Sequence, residues 1–177
     1  SVYWYEQAVN QGHAAAAFNL GNLYASGSKN IPQDIKKAIY YYEEAYSRGM
    51  PEAAFLLGTI FANGEGGAAR APATAMTWYL KAANAGHAEA QLIMGQRYDL
   101  GKDVAKDQGQ AVFWYAMAAK NGYPDAQYNL GATYDRKNST AQEYKIAVAW
   151  YTLAAEQGQP QAMYNLALCY AKGTGVA

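Results

Sequence analysis

Five stretches of this chain carry apolar residues at every fourth position, a spacing that lays one stripe along a helix. Ala16, Leu20 and Tyr24 form the first stripe, and Ala53, Leu57 and Phe61 the second. Ala90, Met94 and Tyr98 form the third, Ala126, Leu130 and Tyr134 the fourth, Ala162, Leu166 and Tyr170 the fifth. Each stripe begins four residues after a glycine: Gly12, Gly49, Gly86, Gly122 or Gly158, at intervals of 37, 37, 36 and 36 residues. A fixed period in the thirties marks a stack of supersecondary units. Pro51, Pro124 and Pro160 sit at the first helical position of their stripes, where a missing N–H costs nothing. These are the A helices.

A second set, the B helices, precedes the period glycines. Eight residues before them stand Trp4, Tyr41, Trp78, Trp114 and Trp150, each followed by tyrosine (Tyr5, Tyr42, Tyr79, Tyr115, Tyr151). Four before them stand Ala8, Ala45, Ala82, Ala118 and Ala154, small residues that let helices approach closely. The aromatic eight before the glycine is expected to fill the wedge between successive hairpins. The period glycine ends each B helix as a left-handed cap. Asp34, Asp107 and Glu143 fall near B-helix starts, where a carboxylate complements the dipole. Nine residues after the period glycines come Gly21, Gly58, Gly95 and Gly131, inside the A helices, with Ala167 in the fifth copy. Glycine there costs roughly 1 kcal/mol against alanine. Its recurrence predicts a packing reason: a neighbouring backbone too close for a Cβ.

The two 37-residue units differ from the 36-residue ones only by one residue in the A-to-B loop. Composition then removes several classes of function. Lys and Arg number 14, and so do Asp and Glu, with no basic run, so nucleic acid and anionic membrane are poor partners. No apolar stretch approaches the ~18 residues of a membrane span. Cys169 is the only cysteine, so neither an intramolecular disulfide nor a thiolate metal cluster forms.

The pattern Ala-x-x-Trp-Tyr-x-x-Ala-Ala-x-x-Gly-x-x-x-Ala-x-x-x-Leu-Gly-x-x-Tyr is met nearly in full by residues 75–98 and 111–134. It resembles the Sel-one-like repeat (SLR), a relative of the tetratricopeptide repeat. The resemblance implies an all-α, right-handed superhelical solenoid of antiparallel helix pairs. Residues 1–177 would form one array of about four full repeats with half-units at both ends. Both ends look cut from a longer array, and uncapped ends would allow end-to-end self-association. The pattern fails at Lys137, where the glycine that ends the A helix is absent, and at Arg97, Thr133 and Cys169, in a slot held elsewhere by Leu23 and Ile60.

SLR proteins act as scaffolds, so the resemblance implies a non-enzymatic adaptor that binds a partner protein or peptide, with no cofactor. Periplasmic, secreted or secretory-lumen settings fit the family. By analogy with tetratricopeptide repeats, the A helices line the concave face. The expected contact residues are Phe18, Asn19, Asn22, Phe55, Thr59, Leu92, Gln96, Tyr128, Asn129, Arg136, Tyr164 and Asn165. They read as an aromatic strip flanked by amides, suited to an extended peptide or a helix. The aromatic slot is also part of the repeat pattern, so packing within the array competes with partner contact for those rings.

The enzymatic alternative, binding or hydrolysis of β-lactams or cell-wall fragments, belongs to a cysteine-rich branch whose paired cysteines are missing here. His13 and His87 occupy one loop slot, which reads as helix entry rather than catalysis. The acids Glu43 and Glu44 read as solvated, and Cys169 as a buried, inert thiol. Asn138-Ser139-Thr140 matches a glycosylation sequon in a predicted loop.

Overall fold

The computed structural model describes residues 2–175. Its helices are α1 (Val2–Asn10), α2 (Ala14–Ser26), α3 (Ile35–Ser47), α4 (Pro51–Asn63) and α5 (Pro72–Asn84), then α6 (Ala88–Leu100), α7 (Gln108–Lys120), α8 (Pro124–Tyr134), α9 (Ala141–Glu156) and α10 (Pro160–Lys172). Even-numbered helices are A helices and odd-numbered ones B helices. Among the described residues there is no strand, only an isolated bridge between Ser28 and Ile31 in the first A-to-B loop. The fold is a helical repeat solenoid. Two compact units divide the chain, Ser1–Ala90 and Gln91–Ala177.

Every B helix ends in the same way. The N–H after the period glycine bonds back to the alanine four residues before that glycine: His13 to Ala8 (3.0 Å), Met50 to Ala45 (3.1 Å), His87 to Ala82 (3.0 Å), Tyr123 to Ala118 (3.2 Å) and Gln159 to Ala154 (3.1 Å). This is the Schellman closure, and it needs a left-handed residue between helix and bond. Gly86 supplies it with φ 90°, and Gly122 with φ 81°. A Cβ at either position would meet nothing within 4 Å, so the demand is conformational and not spatial. Gly86→Ala is therefore expected to cost about 1–2 kcal/mol from left-handed strain alone. A thermal melt checks it, and Gly86→Asn should cost less.

The glycines inside the A helices have the opposite reason. A Cβ at Gly21 would lie 2.5 Å from Cδ1 of Tyr42, and one at Gly58 would lie 2.6 Å from Cδ1 of Tyr79. At Gly95 the distance to Tyr115 is 2.5 Å, and at Gly131 the distance to Tyr151 is 2.8 Å. The obstacle is a tyrosine ring from the following B helix, not the backbone expected from sequence. At Gly131 a backbone atom, the Ala147 carbonyl oxygen, also comes close, at 3.2 Å. The wedge-filling aromatic is thus the second of each pair: Tyr42, Tyr79, Tyr115 and Tyr151 are 0–3% exposed. The first of the pair packs at the rim of the A helix, as where Tyr41 stacks on Tyr24 at 5.7 Å and 3°. Trp4, in the first B helix, is 73% exposed and fills no wedge among the described residues.

Alanine makes the close approach possible. Ala38, Ala45 and Ala53 in the first unit, and Ala111, Ala118 and Ala126 in the second, are all fully buried beside Leu57 and Leu130 respectively. Small residues at each crossing leave the volume that the tyrosine rings occupy.

The missing glycine at Lys137 has a structural consequence. The A helix α8 stops at Tyr134, two residues short of its counterparts, and the following B helix starts early at Ala141. Thr140 caps it: its hydroxyl accepts from the Glu143 N–H at 3.2 Å, and the Glu143 carboxylate accepts from the Thr140 N–H at 2.6 Å. This reciprocal capping box gives Glu143 a role beyond complementing the helix dipole. The Thr140 backbone N–H and hydroxyl hold the Glu143 carboxyl below its ordinary range. Asp34 and Asp107 are the N-caps of α3 and α7, accepting from Lys37 and Gln110 N–H groups.

Candidate binding face

Each buried tyrosine crosses over a glycine of the preceding A helix, and three of the four hydroxyls reach polar side chains of an A helix or the residue just beyond one. Tyr42 donates to Asn22 Oδ1 at 2.8 Å. Tyr79 donates to Thr59 Oγ1 at 3.4 Å. Tyr151 donates to Asp135 at 3.1 Å and accepts from the Asn165 amide at 3.1 Å. These hydroxyls are part of the A-helix face, a contribution from the B helices that reading the two helix patterns separately does not find.

Burial raises the ionisation of these phenols. Tyr42 is pushed up to about 12, chiefly by burial and then by the charge of Glu65. Tyr115 and Tyr151 are pushed higher still, burial first, with Asp99 adding to the first and Asp135 to the second. A carboxylate therefore stands near three of the four hydroxyls. Tyr115 differs from the others: Asp99 acts on it through its charge, but its hydroxyl has no hydrogen-bond partner among the described residues.

The expected contact residues divide into three groups. Asn22, Thr59 and Asn165 are on the face but hold the tyrosine hydroxyls. Phe18, Phe55 and Tyr128 are half-buried against Tyr42, Tyr79 and Tyr151, each with ring centroids 5.9 Å apart. Phe55 also stacks on His87 at 4.5 Å. Leu92, in the same slot, is buried in the core of the second unit. For this aromatic strip, packing within the array accounts for much of the pattern. Asn19, Gln96 and Tyr164 are exposed on α2, α6 and α10, and Asn129 is half-buried on α8.

Arg136 is a correction. Because α8 ends at Tyr134, Arg136 lies beyond the helix, where its N–H donates to Ser139 Oγ and its carbonyl accepts from the Tyr144 hydroxyl. It does not continue the slot occupied by Ser26 and Asn63.

In the first unit the face forms a recess of about 350 Å³ between α2 and α4, with Tyr42 behind it. Asn22, Ser26, Leu56, Thr59 and Glu65 line it, mixing apolar floor with polar walls. Asn19 lies apart from this recess and lines a hollow of about 520 Å³ with Trp4, Tyr5 and His13.

Of the residues weighed for catalysis, His87 and Glu44 make contacts that belong to the local fold. His87 Nδ1 accepts from the Ala90 N–H at 3.3 Å, a helix-entry contact. His13 is the N-cap of α2 without a side-chain bond. Glu44 pairs with Arg48 at 2.6 Å, and Glu43 is exposed. Cys169 is buried, and that burial pushes its thiol up. Asn138 is exposed in the α8–α9 loop, but the sequon's Thr140 is engaged in the capping box.

The Sel1 repeat family matches at residues 1–13, 14–50, 51–87, 88–123, 124–159 and 160–177. Those blocks break at the helix hairpins found here. Two solved structures are similar over 99% of the chain. One is c5321, a protective antigen of uropathogenic Escherichia coli with an SLR fold, at 32% identity and TM-score 0.82. The other is a Sel1 repeat protein from Oxalobacter formigenes, at 35% identity and TM-score 0.79. The chain spans 37% and 50% of the lengths of those two proteins. The immunity protein Pa5087 of Pseudomonas aeruginosa is similar over 91% of the chain at 27% identity and TM-score 0.54, the chain covering 59% of it. No curated protein sequence matches the chain.

Proposed function

The chain belongs to the Sel1 repeat family, whose general role is protein–protein interaction, and from that premise we propose that it is a non-enzymatic adaptor that holds an extended peptide segment of a partner on the face of its A helices. The recess between α2 and α4 carries this reading. It is open, it is part apolar, and its polar groups come from side chains that the fold already holds in place: Asn22 by the Tyr42 hydroxyl, Thr59 by the Tyr79 hydroxyl and the Phe55 carbonyl. Side chains fixed before binding lose less entropy when a ligand arrives. A peptide laid along this face would meet amide and hydroxyl groups for its backbone and shallow apolar ground for its side chains.

Truncating Phe55 and Tyr128 is a poor test of this function, because both rings pack against buried tyrosines. Adding bulk at exposed positions separates binding from folding. Ser26 is exposed at the edge of the recess, and Tyr164 is 66% exposed on α10. Octapeptides selected from a phage-displayed random library on the full chain are expected to bind Ser26→Arg/Tyr164→Arg at least tenfold more weakly. The melting midpoint should stay unchanged. Tyr40→Arg/Phe113→Arg, on exposed B-helix positions, should leave binding intact. The reverse result would move the binding surface to the B helices.

A further inference from the structure

On the reading that the A-helix face binds a segment, we propose that Asp99 and Tyr115 form an anchor for one lysine or arginine side chain of that segment. Four tyrosines cross the A helices in equivalent places, and three have their hydroxyls hydrogen-bonded to an A-helix or adjoining side chain. Tyr115 does not, although the residue is only 2% exposed. Its hydroxyl is not completely sealed in either, and keeps a small contact with solvent. Its ring passes over Gly95, and Asp99 stands one turn further along the same helix face.

Asp99 follows Gly95 by one turn on the face that the Tyr115 ring crosses, its charge acts on the hydroxyl, and no hydrogen bond joins the two side chains. Two acceptors with a gap between them fit a group that carries charge and several N–H donors. An ammonium has three and a guanidinium five. Asp99 has no cation of its own among the described residues: Arg97, two positions earlier, is paired with Asp103. An acidic side chain would instead meet an uncompensated carboxylate. Asp135, the equivalent acid in α8's repeat, is not open in this way, since it accepts from Tyr151, and Glu65, the acid nearest in role to it in the first unit, accepts from Asn63. The anchor therefore belongs to one place in the array.

Random octapeptides displayed on phage and selected on the full chain test this. The expected result is a recurring lysine or arginine at one position, lost when selection is repeated on Asp99→Asn. A resynthesised peptide should bind Asp99→Asn about tenfold or more weakly, the size expected for a hydrogen bond to a charged group. Tyr115→Phe should weaken it less. Replacing the peptide's lysine by norleucine should cost the same against the unchanged protein and nothing further against Asp99→Asn. That substitution needs no protein variant, so the test holds even where one fails to fold. Peptides without a basic preference, with an acidic one, or with a basic preference that survives Asp99→Asn overturn the anchor and leave the A-face reading standing. Failure to select any peptide overturns both.

Discussion

Gly95→Leu is expected to lower the melting midpoint sharply, with a cost of about 3 kcal/mol or more. Two effects of opposite sign meet at this position. Leucine is the better helix former by somewhat under ~1 kcal/mol, which favours the substitution. Against it, even the first carbon added would stand 2.5 Å from Cδ1 and 2.6 Å from Cε1 of Tyr115. Those are atoms of a rigid ring, held by burial, and not the free end of a flexible chain. Either the α6–α7 spacing opens or the ring leaves its place. Overpacking of the first kind costs typically 1–3 kcal/mol, and losing the burial of a large aromatic costs about 3–5 kcal/mol. Steric exclusion wins. Gly95→Ala should show the same sign at smaller size. An unchanged or raised midpoint for Gly95→Leu would refute the packing account, because helix propensity would then be the only effect at work.

The contrast between the two glycine classes shows what was legible in the chain. Both recur with the period, and sequence spacing alone separated their helical positions. The left-handed closures at Gly86 and Gly122 followed from local rules, because a Schellman turn is made within six residues. The tyrosine over Gly95 comes from twenty residues further on. Spacing showed that something must come close, but not which atoms. The same limit applied to the face. The slot of Asn22 and Thr59 is plain in the sequence, yet their hydroxyl partners arrive from another helix. Arg136 lies beyond α8, which ends at Tyr134; the absent glycine at 137 marked a changed ending without saying where the helix would stop. Asp99 carries no signal of its own in the chain, because its slot holds alanine in three copies and aspartate again only at Asp135, and its meaning depends on a phenol that only the fold brings near.

The buried phenols also make the protein sensitive to alkali, with expected unfolding between about pH 10 and 12. An exposed tyrosine in an unfolded chain ionises near ~10. Folded Tyr42 ionises only at about 12, and Tyr115 and Tyr151 are raised further, in each case first by burial. Below pH 10 both states hold these protons, and the contribution to stability is complete. Above it the unfolded chain releases them while the folded chain keeps them, so stability falls as pH rises, until the folded values are passed. Each such phenol removes up to about 1.4 kcal/mol per pH unit, and three acting together about 4 kcal/mol. Over two pH units that comes to about 8 kcal/mol, which matches or exceeds the lower half of the typical range of roughly 5–15 kcal/mol for a folded chain. Tyrosinate absorbance and helical ellipticity should therefore change together. Tyr115→Phe separates this cause from general alkaline damage, since it keeps the ring over Gly95, removes one ionisable group and breaks no hydrogen bond. It should move the alkaline midpoint to higher pH and make the transition less steep. A midpoint that stays where it was would show that the buried phenols do not set the alkaline limit.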